Sequence, residues 1–301
     1  MGACQPQHSH DLDHGLIQPA GGPTVLRIVL GAQLRRLREA RGISREAAGE
    51  AIRASHAKIS RLELGRVGFK TRDVTDLLTL YDVTDQRERD TFLRLAQRAN
   101  EPGWWRDYGD ALSSWFETYL GLEQASSAIR TYEVQFVPGL LQTEDNARAI
   151  IGLCQVHGST RDIDRRVALR MARQDLLTQP EAPDYWAMVD EAALRRPWGT
   201  AQARRAQIHH LIEIAELPNI TLQVLPFSAG THPAAGGPFT ILHFAEPGIP
   251  DIAYLEQLTS AVYLDKQRDT DNYLTIMNQL RVTAYSPTDT TTFLTQISKE
   301  M

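Results

Sequence analysis

The chain has 301 residues, enough for two domains with a core each, and its net charge of −5 does not by itself suggest a nucleic-acid partner. Its two cysteines, Cys4 and Cys154, cannot build a disulfide framework, which points to a reducing cytoplasm. No apolar run approaches the roughly 20 residues of a membrane span, and the polar, histidine-containing start is unlike a signal peptide, so no membrane association is expected.

Residues 1–24 are rich in Gly, Pro, Gln and His without apolar periodicity and read as a disordered tail. His8, His10, Asp11, Asp13 and His14 carry metal-ligating groups, but nothing nearby would fix a coordination geometry, so a solvated tail is the reading and no metal or cofactor is expected. From 25 to 40, Ile28, Leu30, Leu34 and Leu37 recur at helical spacing, with Arg35, Arg36, Arg38 and Arg41 between them, for most of which a solvated face is the reading and a grazing contact with phosphates the alternative. Gly42 ends that helix.

The stretch 43–66, ISREAAGEAIRASHAKISRLELGR, reads as two short helices joined by a tight turn. Ser44 caps the first and Ser55 the second, each offering a hydroxyl oxygen to backbone N–H groups that the helix leaves unpaired. Ala48, Ala51 and Ile52 give the first an apolar stripe, and Ile59 and Leu62 the second. Gly49 weakens a helix interior by roughly 1 kcal/mol, which makes sense where another helix crosses with no room for a side chain. That geometry is a helix-turn-helix, whose second helix enters the DNA major groove. With Ile59 and Leu62 inward, His56, Ala57, Lys58, Ser60 and Arg61 face out, small, polar or cationic as base edges and phosphates require.

Past this stretch, Arg66 and Lys70 sit in a loop opened by Gly65 and Gly68, just ahead of a helix over 71–81 with Val74, Leu77, Leu78 and Tyr81 inward. A fifth helix over 85–100, on Phe92, Leu93 and Leu95, completes the head. Charge supports it: residues 25–100 hold 16 Lys and Arg against 10 Asp and Glu, a net of +6, whereas the rest holds 16 against 27, a net of −11. A basic head on an acidic body fits DNA reading joined to regulation or dimerisation.

Residues 101–121 form an aromatic-rich helical connector with Trp104, Trp105, Tyr108, Trp115, Phe116 and Tyr119. Core packing is the default, with a partner surface and a ligand cage as alternatives. Beyond it the pattern mixes strands (127–134, 185–190, 221–225, 239–244, 252–256, 261–264) with helices (143–153, 161–177, 200–216, 269–285 and one from Ser286–Pro287), so residues 122–301 are expected to form an α+β domain. The whole is an all-α five-helix head over 25–100 followed by an α+β regulatory or dimerisation domain.

Asp190, Glu191, Arg195, Arg196, His209, His210 and His232 could supply acid–base chemistry, but no nucleophile elbow, phosphate loop or metal-ligand spacing accompanies them, and adjacent histidines on a helix point about 100° apart. DEAALRRP (190–197) reads as a salt-bridged turn, and no enzyme is expected. The Gly- and Ala-rich loop FSAGTHPAAGG (227–237) can close over a ligand or peptide, or be a plain hairpin loop.

Ser55, Ile59, Ser60, Arg61, Leu62, Glu63 and Gly65 fall in the register S-x-x-x-I-S-R-[IL]-E-x-G, which resembles the phage-repressor-like, XRE-type regulators. Arg53 departs from it, standing where those proteins usually have glycine; an arginine at positive φ is strained, and a slightly remodelled turn is expected. EVQFVPGLLQTEDNARAI, DEAALRRP and ELPNITLQVLPFSAGTHPAAGGPFTIL resemble the C-terminal domain of many actinomycete helix-turn-helix regulators, whose role is unsettled. The resemblance implies a transcription regulator titrated by a small acidic partner protein, in antitoxin-like fashion. The combined expectation is a cytoplasmic, nucleoid-associated homodimer on palindromic double-stranded DNA, with His56 and Arg61 on base edges and Ala57 on a thymine methyl. Arg45, Ser60, Arg66 and Lys70 are placed on phosphates, and Ser55 and Lys58 belong to the same surface. The alternatives are a protein-interaction module with secondary DNA binding, and a small-molecule-sensing regulator.

Overall fold

The computed structural model describes residues 22–154, 159–246 and 249–301. The tail residues His8, His10, Asp11, Asp13 and His14 lie outside them, as does Cys4. Among the described residues no helix is long and apolar enough to cross a membrane, and no group of three His, Cys, Asp or Glu is gathered that could hold a metal.

The head consists of five helices, α1 (Pro23–Ala40), α2 (Arg45–Ala51), α3 (His56–Glu63), α4 (Thr71–Leu80) and α5 (Gln86–Ala99). Each places its periodic apolar residues in one core: Leu30 and Leu34 from α1, Ala48 from α2, Ile59 and Leu62 from α3, Val74 and Leu77 from α4, Phe92 and Leu95 from α5. Pro23 at the first position of α1 loses nothing, because the N–H it lacks would be unpaired there.

Helix α6 (Ser114–Ala125) follows a 3-10 segment, Trp104–Ala111, and leads into the second domain. That domain has six strands: β1 (Ala128–Glu133), β2 (Asp184–Asp190), β3 (Ile220–Leu225), β4 (Phe239–His243), β5 (Ile252–Glu256) and β6 (Ala261–Leu264). They form one sheet in the order β3-β2-β1-β4-β5-β6, the first three strands mutually parallel and the rest antiparallel. Helices α7 (Glu144–Cys154) and α8 (Thr160–Gln174) connect β1 to β2; α9 (Glu191–Arg195) and α10 (Ala201–Ile214) connect β2 to β3. Parallel neighbours need such crossovers. Helices α11 (Gln267–Thr283) and α12 (Pro287–Glu300) end the chain.

Strand alternation assigns the two sheet faces. Ile129, Tyr185, Ala187, Val189, Leu222 and Val224 point to one face, where Ile208 and Leu211 of α10 and Leu294 and Ile297 of α12 cover them. Tyr132, Met188, Leu225 and Ile241 point to the other, under Met277 and Leu280 of α11. The outer edge of β3 is closed by the chain itself, with Tyr285 N–H donating to the Val224 carbonyl and Val224 N–H to Thr290 Oγ1.

Of the connector's aromatics, Trp105 and Tyr119 are buried core, Tyr108, Trp115 and Phe116 are half-buried against it, and Trp104 is exposed. Trp105 packs with Leu120 and Leu169, while Phe116 stacks on Tyr119, whose ring lies 4.2 Å from that of Tyr254. Beneath them Glu123 of α6 and Arg173 of α8 form a buried ion pair, Nη2 to Oε1 at 2.6 Å, with the Tyr119 hydroxyl donating to the same oxygen at 2.8 Å. Burial works against the Arg173 charge, but the Glu123 carboxylate outweighs it and holds the guanidinium above its ordinary pKa.

Helix α1 belongs to both cores. Val25 and Ile28 pack with Tyr119 and Leu122 in the second domain's main cluster, while Leu26, Leu30 and Leu34 face the head.

Candidate nucleic-acid interface

Ser44 Oγ accepts from Ala47 N–H at 3.1 Å to start α2, and Ser55 Oγ from Lys58 N–H at 3.3 Å to start α3. The turn between them is tight. A Cβ on Gly49 would stand 2.6 Å from the Ala54 carbonyl oxygen, so the backbone of the turn, rather than a crossing helix, excludes a side chain. Arg53 has φ 54°, the left-handed conformation that favours glycine, and the Arg53 N–H still bonds the Glu50 carbonyl. Arg53→Gly is therefore expected to raise the head's stability by about 0.5–1 kcal/mol in urea melts; a lower midpoint would mean that the arginine side chain repays its backbone cost. Ala51, placed on the apolar stripe by spacing, is exposed instead, because α2 ends there, while Ala48 and Ile52 turn inward.

Helix α3 is pinned from below by Glu63. Its carboxylate, with a side chain 4% exposed, takes both Nε and Nη2 of Arg38 from α1 and Nε of Arg45 from α2. Arg38 also donates to the Ile43 carbonyl at 2.7 Å. The hydrogen bonds to Glu63 hold the Arg38 guanidinium above its ordinary pKa against the cost of burial. Arg38 is thus no solvated-face residue; it locks three helices around the turn. Sequence spacing carried the signal, since Leu30, Leu34 and Arg38 recur every four residues along one face.

The outer face of α3 presents His56, Ala57 and Arg61 exposed, with Ser60 half-buried beside them. Arg61 Nε reaches back to the Ala57 carbonyl at 3.4 Å, and Ser55 is exposed as the cap. Lys70 is exposed at the N-cap of α4. Among the described residues neither Arg61 nor Lys70 takes part in an ion pair. Lys58 differs from its expected place. Its ammonium pairs with Asp73 in the first turn of α4, a carboxylate with a side chain 3% exposed that must find a cation, so Lys58 ties α3 to α4 rather than facing outward. Arg45 is divided, its Nε on Glu63 and its side chain 41% exposed. Arg66 reaches Asp265, at the end of β6, at 3.5 Å.

In the second domain, Asp190 and His232 come within 4.0 Å and the Tyr132 hydroxyl lies 3.4 Å from His232 Nε2. Asp190 is otherwise used as a helix cap: its Oδ1 accepts from Ala192 N–H and starts α9 where a turn was expected, with Arg195 paired back to Glu191. His209 contacts Ser298 of α12, and burial lowers the pKa of His210.

A capped helix pair around a tight turn, with a polar second helix facing out, defines a helix-turn-helix DNA-binding protein. Residues 29–92 match a family described as a helix-turn-helix domain, and residues 116–296 match one described as a domain of unknown function, DUF5753. The chain belongs to the DUF5753 family. No curated protein and no solved structure matches it.

Proposed function

We propose that this protein is a sequence-specific, XRE-type DNA-binding regulator without enzymatic turnover, working as a homodimer on the nucleoid in the cytoplasm. The observation that carries this reading is the outer face of α3, where His56 and Ala57 at the N-terminal end and Arg61 in the last turn stand exposed on a helix locked from below by Glu63. His56 and Arg61 read base edges, Ala57 touches a thymine methyl, and Ser60 and Lys70 position the helix on phosphates. Arg61→Ala is expected to cost about 1–3 kcal/mol at one or two base pairs of a footprinted operator. Uniform weakening across sequences would make Arg61 a phosphate contact and defeat the assignment. Lys70→Ala is expected to lower the slope of log affinity against log salt by about one unit; an unchanged slope removes it from the interface.

One reading helix covers few base pairs, which is the argument for two copies reading half-sites roughly 34 Å apart. The outer edge of β6 supports pairing: Val262 there and Leu258 at the preceding hairpin tip are exposed, at 45% and 103%. Light scattering that gives a monomer on operator DNA would remove the dimer. The resemblance of the second domain supports control by a small acidic protein partner, antitoxin-like. Full-length chain used as bait in its native host should then retain a stoichiometric small protein; an empty bait counts against the partner and for a small effector.

A further inference from the structure

A cleft of about 830 Å³ opens between the head and the second domain, within the size range of small-molecule sites. Its floor is apolar: Ile28 and Ala32 from α1, Leu122 from α6, Ile252 and Tyr263 from the sheet. The Tyr263 hydroxyl donates to the Trp115 carbonyl, which fixes that wall. The rim is charged and unevenly matched. Arg35 pairs with Glu39, Arg45 with Glu63 and Arg66 with Asp265, while Arg36 and Lys266, both exposed, have no anionic partner among the described residues.

We infer that this interdomain cleft is a binding site for a small anionic amphiphile, its apolar body on the floor and its anionic end on Arg36 and Lys266, and that its occupancy opposes DNA binding. The second half rests on the DNA-reading proposal. Arg45 and Arg66, which the sequence places on DNA phosphates beside Ser60 and Lys70, line the same cleft, and Asp265 holds one of them. A carboxylate or sulfonate arriving at the rim competes with Asp265 for Arg66 and with phosphates for both arginines. DNA and ligand then draw on shared cations, and each must weaken the other by the same factor.

The test uses the full-length protein with anilinonaphthalene sulfonate as fluorescent probe and decanoate and decyltrimethylammonium as competitors. Expected are one saturable probe site per chain, displacement by decanoate but not by the cationic amphiphile, and at least tenfold weaker binding in Arg36→Glu/Lys266→Glu. Ala32→Trp, which fills the floor, should abolish binding; should it misfold, the exposed double variant still decides. Absence of a saturable site, displacement by both amphiphiles alike, or unchanged binding in the double variant overturns the site. Saturating decanoate should weaken affinity for a footprinted DNA about fivefold or more. Unchanged affinity beside intact one-to-one decanoate binding overturns the coupling. Failure of the wild type to bind any DNA defeats the proposed function and the coupling while leaving the ligand site standing.

Discussion

Glu63→Ala is expected to cost the head about 3–5 kcal/mol, because it leaves the buried Arg38 guanidinium with only the half-exposed Glu39 carboxylate, 3.3 Å from its Nη2, and releases Arg45 as well. The loss is one of structure at the turn. Arg38 on α1, Arg45 on α2 and Glu63 on α3 come from three helices, so one deletion loosens the angle at which α3 is offered to DNA. Urea unfolding followed by far-ultraviolet circular dichroism should show the lowered midpoint, and operator affinity should fall with it. A midpoint within 1 kcal/mol of wild type would mean that water reaches Arg38, and that the pair is not the lock of this head.

Arg173→Met is expected to be as damaging to the second domain, at about 3–5 kcal/mol, since it strands the Glu123 carboxylate among aromatic rings. The guanidinium lies 5.2 Å from the Tyr119 ring centre and 5.6 Å from that of Phe116, so packing is lost along with charge. The double change Arg173→Met with Glu123→Leu removes both charges together. It should recover most of the loss, because a buried ion pair exchanged for apolar groups of similar volume is often near neutral. A double variant as unstable as the single one would put the cost in shape rather than in the unpaired charge.

These two ion pairs also mark where sequence reading reached its limit. Caps, apolar periods and strand alternation are local, and from them the positions of α2, α3 and all six strands were readable to within a residue or two. The partners of Arg38 and Arg173 lie 25 and 50 residues away, and no local pattern names them. What was readable is that both arginines continue an apolar stripe, Leu34 to Arg38 and Leu169 to Arg173, a register in which a charge must be matched. Helix α9 escaped because five residues give too little periodicity, although Asp190 followed by Glu191 and Arg195 carries its cap and its i,i+4 pair. The diversion of Lys58 to Asp73 was equally hidden, since it depends on how α4 approaches α3. Strand order was not readable either; parallel β1, β2 and β3 follow from the helices between them, but antiparallel β4 beside β1 is a choice made by the packed sheet.

The first helix has a consequence for how such proteins can be taken apart. Because Val25 and Ile28 on one side of α1 and Leu26, Leu30 and Leu34 on the other serve different cores, no cut in the connector yields two intact pieces. A truncation ending near residue 100 leaves Val25 and Ile28 bare, and one beginning there leaves a hole beside Tyr119 and Leu122. The DNA-reading unit is therefore no transplantable cassette. Grafted onto another body, it would need that body to supply a matching seat for α1, and any force that shifts the seat reaches the reading helix along a single rigid rod.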